Sequence, residues 1–238
     1  MSDSRPLIAV TGASQGIGAA IAAVFAREHP CRLALLARNL ENLEKVAVAC
    51  RESGADAHIF SCDATDPESV ESAAGRVLGE LGTPDVLINN AGRFCGVSFL
   101  ETTLEQFDEL IAANLRSVFL VSRAFLPSMV RRRKGHVFNM SSIAGLNPYP
   151  GGTAYCSAKF GVTGLSKVMR REMMEHGIRV TTVYPGATFT PSWQGSGVSE
   201  DVMMPAEDVA RAFYDAWRLS DRTVVEDLVL RPVGGDPM

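Results

Sequence analysis

The chain has 238 residues, 46% hydrophobic and 21% charged, which suits one compact α/β domain able to bury roughly 70–75% of its unfolded surface. A formal net charge of -4 excludes a general nucleic-acid binder, whose footprint would be basic. Five scattered cysteines (Cys31, Cys50, Cys62, Cys95, Cys156) form no Cys-x-x-Cys pair, and His29, His58, His136 and His176 never reach ligand spacing, so neither a disulfide frame nor a zinc site is expected.

The opening residues, MSDSRPLIAV, lack a long apolar segment behind a basic flank, and no uninterrupted apolar stretch approaches the ~20 residues of a membrane span. A soluble cytoplasmic protein with reduced thiols is expected.

Leu7 to Val10 reads as a first strand, followed at once by Thr11-Gly12-Ala13-Ser14-Gln15-Gly16-Ile17-Gly18. Ile17, Ile21, Val24 and Phe25 then recur with the period of an amphipathic helix. Strand, glycine turn and helix is the setting of a nucleotide-phosphate site: glycines admit the pyrophosphate and the helix N-terminus favours its charge. A turn without a ligand is the plainer alternative.

Arg32 to Ala37 reads as a second strand ending in Ala37-Arg38-Asn39. An acid there would bind the ribose 2′-hydroxyl of NAD and repel a 2′-phosphate. Ala37 takes its place and Arg38 follows with a guanidinium, so NADP is expected over NAD unless Arg38 is merely solvated.

A helix over 40–52 leads to a third strand near 58–61 and to Cys62-Asp63-Ala64-Thr65-Asp66-Pro67. Asp66 and Pro67 open a helix in the preferred capping order, while Asp63 either meets an adenine amino group or forms a turn. Val86-Leu87-Ile88 is a fourth strand, running into Asn89-Asn90-Ala91-Gly92, whose small and amide residues can line a cofactor slot. Helices are expected over 104–114 and 117–131, then a fifth strand over 136–140. The basic run Arg131-Arg132-Arg133-Lys134 at a helix C-terminus is explained by solvation and the helix dipole, with docking of an acidic partner as the alternative.

A long helix over 151–176 carries Tyr155 and Lys159, four residues apart and so on one face. On its own this pair also describes a packed tyrosine beside a solvated lysine. A nearby ammonium would, however, draw a phenol down from its ordinary ~10 toward neutral pH, and Ser142 across a Gly- and Pro-rich loop offers a hydroxyl to a substrate oxygen. A sixth strand over 179–184 ends in Pro185-Gly186-Ala187-Thr188-Phe189-Thr190-Pro191. The segment 187–205, with Trp193, Met203 and Met204, reads as a substrate lid. A helix over 206–220 and a strand over 225–230 close the chain. The βαβ alternation predicts a single doubly wound Rossmann domain across 1–238: a parallel sheet of about seven strands, covered on both faces. Gly12, Arg38, Asp63, Asn90, Ser142 and Gly186 then gather at the carboxyl edge, where such sheets bind ligands.

Taken in order, Thr11-Gly12-x-x-x-Gly16-x-Gly18, Asn89-Asn90-Ala91-Gly92, Asn114, Ser142, Tyr155-x-x-x-Lys159 and Pro185-Gly186 resemble the short-chain dehydrogenase/reductase family over essentially the whole chain. The resemblance implies that Tyr155 is the general acid and that Ser142 polarises the carbonyl. It further implies that Lys159 binds the nicotinamide ribose while lowering the tyrosine pKa, and that Asn114 holds a water feeding protons inward. The implied NADP(H) contacts are Gly12, Ser14, Gln15, Gly16, Ile17, Gly18, Arg38, Asp63, Ala64, Asn90, Ala91, Gly92, Tyr155, Lys159, Pro185, Gly186, Thr188 and Thr190. Gln15 stands where many NADP-dependent members have Arg or Lys, which leaves Arg38 to carry the phosphate preference.

Gly92-Arg93-Phe94, Pro185-Gly186-Ala187-x-x-Thr190-Pro191-x-Trp193, Arg222-Thr223-Val224-Val225-Glu226 and Arg231-Pro232 are similar to bacterial sepiapterin-reductase-like members, and more broadly to 3-oxoacyl-carrier-protein reductases. An NADPH-dependent reductase of a small ketone, diketone or pterin side chain is the leading expectation, with Phe94, Ser142, Tyr149 and Trp193 against the substrate and Asp236 a candidate pterin anchor. A carrier-protein reductase is the alternative; Arg131–Arg133 and Arg170–Arg171 would then form an exposed patch for the acidic carrier. An idle NADP-sensing module is the third reading. The resemblance also implies dimers or tetramers through the helices bearing Phe119–Met129 and Tyr155–Met173.

Overall fold

The computed structural model describes residues 5–193, 195 and 197–236. Seven strands make one parallel sheet: β1 (Leu7–Thr11), β2 (Arg32–Ala37), β3 (Asp56–Ser61), β4 (Val86–Asn89), β5 (Gly135–Met140), β6 (Ile178–Pro185) and, numbered after a small ribbon described below, β9 (Asp227–Leu230). Their order is β3-β2-β1-β4-β5-β6-β9, so the direction of winding reverses between β1 and β4. That reversal opens a crevice at the carboxyl ends of these two strands.

Seven helices cover the sheet: α1 (Gly16–Glu28), α2 (Leu40–Glu52), α3 (Pro67–Glu80), α4 (Leu104–Ile111), α5 (Ser117–Arg132), α6 (Thr153–Met173) and α7 (Ala206–Arg218). Along β1 the side chains alternate. Ile8 and Val10 join the apolar cluster with Ile21, Leu43 and Phe213 of α1, α2 and α7. Leu7 and Ala9 join the opposite cluster with Val70, Val121, Phe125 and Met169 of α3, α5 and α6. Burial on both faces explains why the strands read as continuous apolar runs rather than alternating ones.

The helix starts follow the sequence signals. Asp66 accepts from the backbone N–H groups of Glu68 and Ser69, and Pro67 takes the first helical position of α3. The helices expected over 104–114 and 117–131 are one continuous run, joined by a wide π turn at Ala112–Arg116. The joined run of 29 residues holds a window long and apolar enough, by length and composition alone, to cross a membrane, though charged residues such as Asp108, Arg116 and Arg123 interrupt the run. Its apolar side supplies Val121, Phe125 and Met129 to the core. The expected lid is anchored at both ends by a short parallel ribbon of β7 (Thr188–Phe189) and β8 (Met204–Pro205); its Gln194 and Ser196 lie outside the described residues.

The basic run is exposed at the end of α5, as expected, and two of its arginines also grip neighbouring carbonyls. Arg132 donates to the carbonyls of Thr83 (2.9 Å) and Pro84 (2.6 Å) and pairs with Asp85 at 3.2 Å. Arg133 donates to the Glu175 carbonyl at 2.7 Å, and Arg170 to the Glu226 carboxylate at 3.0 Å. These guanidinium groups tie helix ends to neighbouring loops. Arg132 also sits where the chain enters β5, the length of a six-residue strand, or ~20 Å, from Ser142 at the far end.

Candidate active site

The glycine turn after β1 is tightly built. Gly12 and Gly16 both have positive φ, at 65° and 57°. A Cβ on Gly18 would overlap the Gly12 carbonyl oxygen and stand 2.5 Å from Asn90 Nδ2. Asn90 Nδ2 donates to the Thr11 carbonyl (3.0 Å) and the Gly12 carbonyl (3.2 Å), while Thr11 Oγ1 accepts from the N–H groups of Asn90 and Ala91. The ends of β1 and β4 are thus locked across the crevice. Asn90, expected as a ligand contact, has its side-chain amide occupied in shaping the glycine turn. Thr11 shares that work; its place at a strand end just before Gly12 was the available signal.

Helix α1 begins at Gly16 with no side-chain cap from Gln15 and no acid in its first turn. Its leading N–H groups and dipole are left for an anion, and a cradle that Cβ atoms would fill suits a pyrophosphate. Thr190 lies over this turn, its Cβ 3.4 Å from where a Gly16 Cβ would stand, so the lid's first arm meets the loop. Ala64, Ala91, Thr11 and Val118 line a small cleft beside it.

At the end of β2, Ala37 is buried and the Arg38 side chain is 76% exposed, its Nη1 3.9 Å from Asp63 Oδ2. Burial alone would raise the Asp63 carboxyl; hydrogen bonds from Thr65 and the Arg38 guanidinium outweigh it and hold the group below the usual carboxylate range. Both residues stand where a ribose phosphate and an adenine would be read, and the residues present fit a phosphorylated dinucleotide.

On the other side of the crevice, Ser142 follows β5, and Tyr155 and Lys159 project from the first turns of α6. Ser142 stands close enough to the Tyr155 phenol to act on its ionisation. Its Oγ also accepts the Ala144 N–H at 3.1 Å and donates to the Pro185 carbonyl at 3.4 Å. Lys159 is 4% exposed; its Nζ donates to the Met140 carbonyl at 2.8 Å and lies 5.6 Å from the centre of the Tyr155 ring. Burial pushes its pKa down to about 8. Burial also raises the Tyr155 phenol, and Ser142 beside it draws it part of the way back. The expected lowering of the tyrosine by Lys159 is therefore not what this arrangement displays: the ammonium is turned to Met140. Met140 acts through its backbone, so no side-chain signal announced it.

Asn114 is buried in the π turn, where such turns concentrate at functional sites. Its Oδ1 accepts the Arg93 N–H (3.2 Å), and its Nδ2 donates to the carbonyls of Arg93 (2.9 Å) and Leu110 (3.0 Å). A Cβ on Gly92 would stand 2.6 Å from Asn114 Oδ1 and 3.8 Å from Lys159 Nζ, so these three residues adjoin. Beyond them Phe94, 58% exposed, meets the Tyr155 ring edge-on at 5.1 Å. Tyr149 packs beside Cys156 on the next turn of α6, and burial raises its phenol. Trp193 rides on the lid turn Pro191–Trp193 and makes no ring contact with Tyr155 among the described residues.

Thr188 is buried, its hydroxyl bonded to the Gly186 carbonyl at 3.0 Å. Asp236, the candidate pterin anchor, instead accepts the Ala187 N–H (2.7 Å) and pairs with Arg231. A cavity of about 290 Å³ beside Ser166, Arg170 and Glu226 opens along the far half of α6 and is separate from this cluster.

Chemically, the cluster offers a phenol, a hydroxyl near it, and a buried amine, next to a crevice made for a dinucleotide. Comparison with known proteins agrees with that arrangement. The sequence model for short chain dehydrogenases matches residues 6–200. A sepiapterin reductase of Chlorobaculum tepidum is 36% identical over 98% of this chain and 98% of that protein. An alcohol dehydrogenase of the archaeon Thermococcus sibiricus, solved with 5-hydroxy-NADP, superposes with a TM-score of 0.91 at 31% identity, covering 99% of this chain and 100% of that one. A metagenomic short-chain oxidoreductase solved with NADP gives a TM-score of 0.86 at 33% identity, covering 98% and 99%. With a family match spanning most of the sequence and relatives aligned end to end, this chain belongs to the short chain dehydrogenase family.

Proposed function

We propose that this chain is an NADPH-dependent carbonyl reductase acting on a small ketone or diketone, with a sepiapterin-like pterin side chain as the leading substrate class. The observation that carries the reading is the grouping of Ser142, Tyr155 and buried Lys159 after β5 and in the first turns of α6, across the crevice from the glycine turn. Exposed Arg38 in place of an acid supports NADP(H), and the full-length similarity to the Chlorobaculum tepidum sepiapterin reductase supports the pterin class. Bound in the crevice, the nicotinamide supplies a hydride.

The chain's own residues do the rest. Ser142 donates to the carbonyl oxygen and sets its position. Tyr155 delivers the proton that this oxygen needs as the carbon is reduced. Lys159 holds positive charge next to the phenolate left behind, and at about 8 its pKa keeps it mostly charged at neutral pH. Asn114 fixes Arg93 and with it the wall carrying Phe94. Asn114, in the π turn and adjoining Gly92 and Lys159, is placed to hold a water that reprotonates Tyr155 through Lys159.

The carrier-protein alternative is weakened because Arg132, Arg133 and Arg170 are engaged within the chain. Apolar Phe119, Phe160 and Val168 exposed on α5 and α6 support a homodimer or homotetramer through those helices. Free thiols at the described cysteines support a cytosolic setting. The test is a panel of small ketones, diketones, sepiapterin and a carrier-bound β-ketoacyl chain, run in parallel with NADPH and NADH. Fast NADPH oxidation with the free diketones or pterin is expected; a strong preference for the carrier-bound substrate, or for NADH, would refute the reading.

A further inference from the structure

The chain's last described residues fold back over the crevice. After β9, Gly235 donates to the Pro232 carbonyl (2.9 Å) and turns the chain so that Asp236 reaches the loop leaving β6. There Asp236 Oδ1 accepts the Ala187 N–H at 2.7 Å, while Oδ2 accepts from Arg231 Nε at 2.9 Å and Nη2 at 2.5 Å. Gly186, between, donates to the Leu230 carbonyl at 2.8 Å.

The fit is close. A Cβ on Gly186 would overlap Asp236 Oδ1 and stand 3.2 Å from Pro232 Cδ, and Gly186 has no positive φ. A side chain is excluded there by the tail, not by backbone conformation. Both Asp236 oxygens accept hydrogen bonds from the chain itself, which makes this carboxylate a clasp on the loop.

The clasped loop also touches the chemistry. Pro185, two residues before the clasped Ala187 N–H, offers the carbonyl that accepts from Ser142 Oγ at 3.4 Å. Ser142 has one hydroxyl proton, which a substrate oxygen also needs. A Pro185 carbonyl held at 3.4 Å orients that hydroxyl with a long, weak bond and leaves it easily redirected. The same carbonyl a few tenths of an ångström closer would hold the proton firmly.

We propose that Asp236, braced by Arg231, is a positioning residue: through the Ala187 N–H it fixes the distance from the Pro185 carbonyl to Ser142, and thereby the availability of the Ser142 proton for the substrate. The proposal rests on the carbonyl-reductase reading for its kinetic consequence but not for the clasp itself. In Asp236→Ala, kcat for a small 1,2-diketone falls about tenfold, as expected for a sub-ångström misplacement of a catalytic group, while NADPH affinity stays within about twofold. Asp236→Asn keeps an oxygen for the Ala187 N–H and recovers kcat to within about threefold of the original.

Because the effect runs through Ser142, Asp236→Ala in a Ser142→Ala background lowers kcat by less than about twofold. Hydrogen exchange of the Ala187 amide, measured on the same proteins, accelerates in Asp236→Ala and not in Asp236→Asn. An unchanged kcat in Asp236→Ala, or a loss equally large without Ser142, would overturn the proposal. Should the unaltered protein reduce no carbonyl, the functional reading falls, and exchange alone decides: an Ala187 amide as protected in Asp236→Ala as before would overturn the clasp too.

Discussion

Lys159 is held at a disadvantage to the fold, and replacing it by methionine should reveal by how much. Its side chain is 4% exposed and its pKa falls from the usual 10.5 to about 8, with burial as the cause. At about 1.4 kcal/mol per tenfold change in proton affinity, keeping this amine charged in the interior costs about 3 kcal/mol at pH 7. Lys159→Met removes that cost but leaves the Met140 carbonyl without its donor, at about 1 kcal/mol. The net gain is about 2 kcal/mol, a rise of about 4–8 °C in Tm for a chain of this length.

The pH dependence follows from the same shift. The folded chain binds this proton less tightly than the unfolded one, so between pH 8 and 10.5 the unfolded state holds more protons. The penalty is full below that window and fades as pH rises through it. Calorimetry on nucleotide-free protein should therefore find Lys159→Met melting higher at pH 7, with the gap closing toward pH 10.5, while NADPH-dependent turnover falls by about 100-fold or more. A variant that melts lower at pH 7, with a gap indifferent to pH, would refute the reasoning.

Other substitutions probe other parts of the site. Gly18→Ala forces a methyl group against the Gly12 carbonyl and Asn90, so it should lose about 1–3 kcal/mol of stability by thermal melting and bind NADPH weakly by fluorescence titration. Arg38→Ala should raise KM for NADPH by about 10–100-fold and leave KM for NADH nearly unchanged, since one charge-assisted contact to the 2′-phosphate is at stake. His136 is fully buried with Nδ1 unpartnered, and burial holds its pKa well below 6.5. The unfolded chain then binds the extra proton as pH drops below 6.5, so urea midpoints should fall from pH 7 to pH 5. His136→Phe, which can keep the stack on Phe138, should flatten that fall.

The sheet, its two-sided cover and the glycine turn were legible because their requirements are local. Apolar runs mark buried strands, and Gly12 and Gly16 are needed where φ is positive. Tyr155 and Lys159 were legible as a pair because helical spacing alone puts them on one face. Their electrostatics were not. The partner that turns Lys159 away is a backbone carbonyl on another element, Met140, which a side-chain pattern cannot announce.

The same limit hid the carbonyl partners of Arg132 and Arg133, which are exposed as a solvated run and also hold distant backbone oxygens. The part that the Asn90 amide plays in closing the glycine turn rests on the carbonyls of Thr11 and Gly12, distant in sequence, and so was not legible either. Asp236 lies 49 residues from the N–H it grips, a separation no local pattern spans.

The account stands or falls on Tyr155 giving a proton to a carbonyl oxygen while a hydride arrives from the crevice. Deuterium transfer from 4-deuterated NADPH to the carbonyl carbon of a small diketone, followed in the unaltered protein and in Tyr155→Phe, measures that directly. The label should appear on the new carbinol carbon with the unaltered protein and nearly vanish with Tyr155→Phe at undiminished NADPH binding. Equal label from both proteins, or none from either, would contradict it.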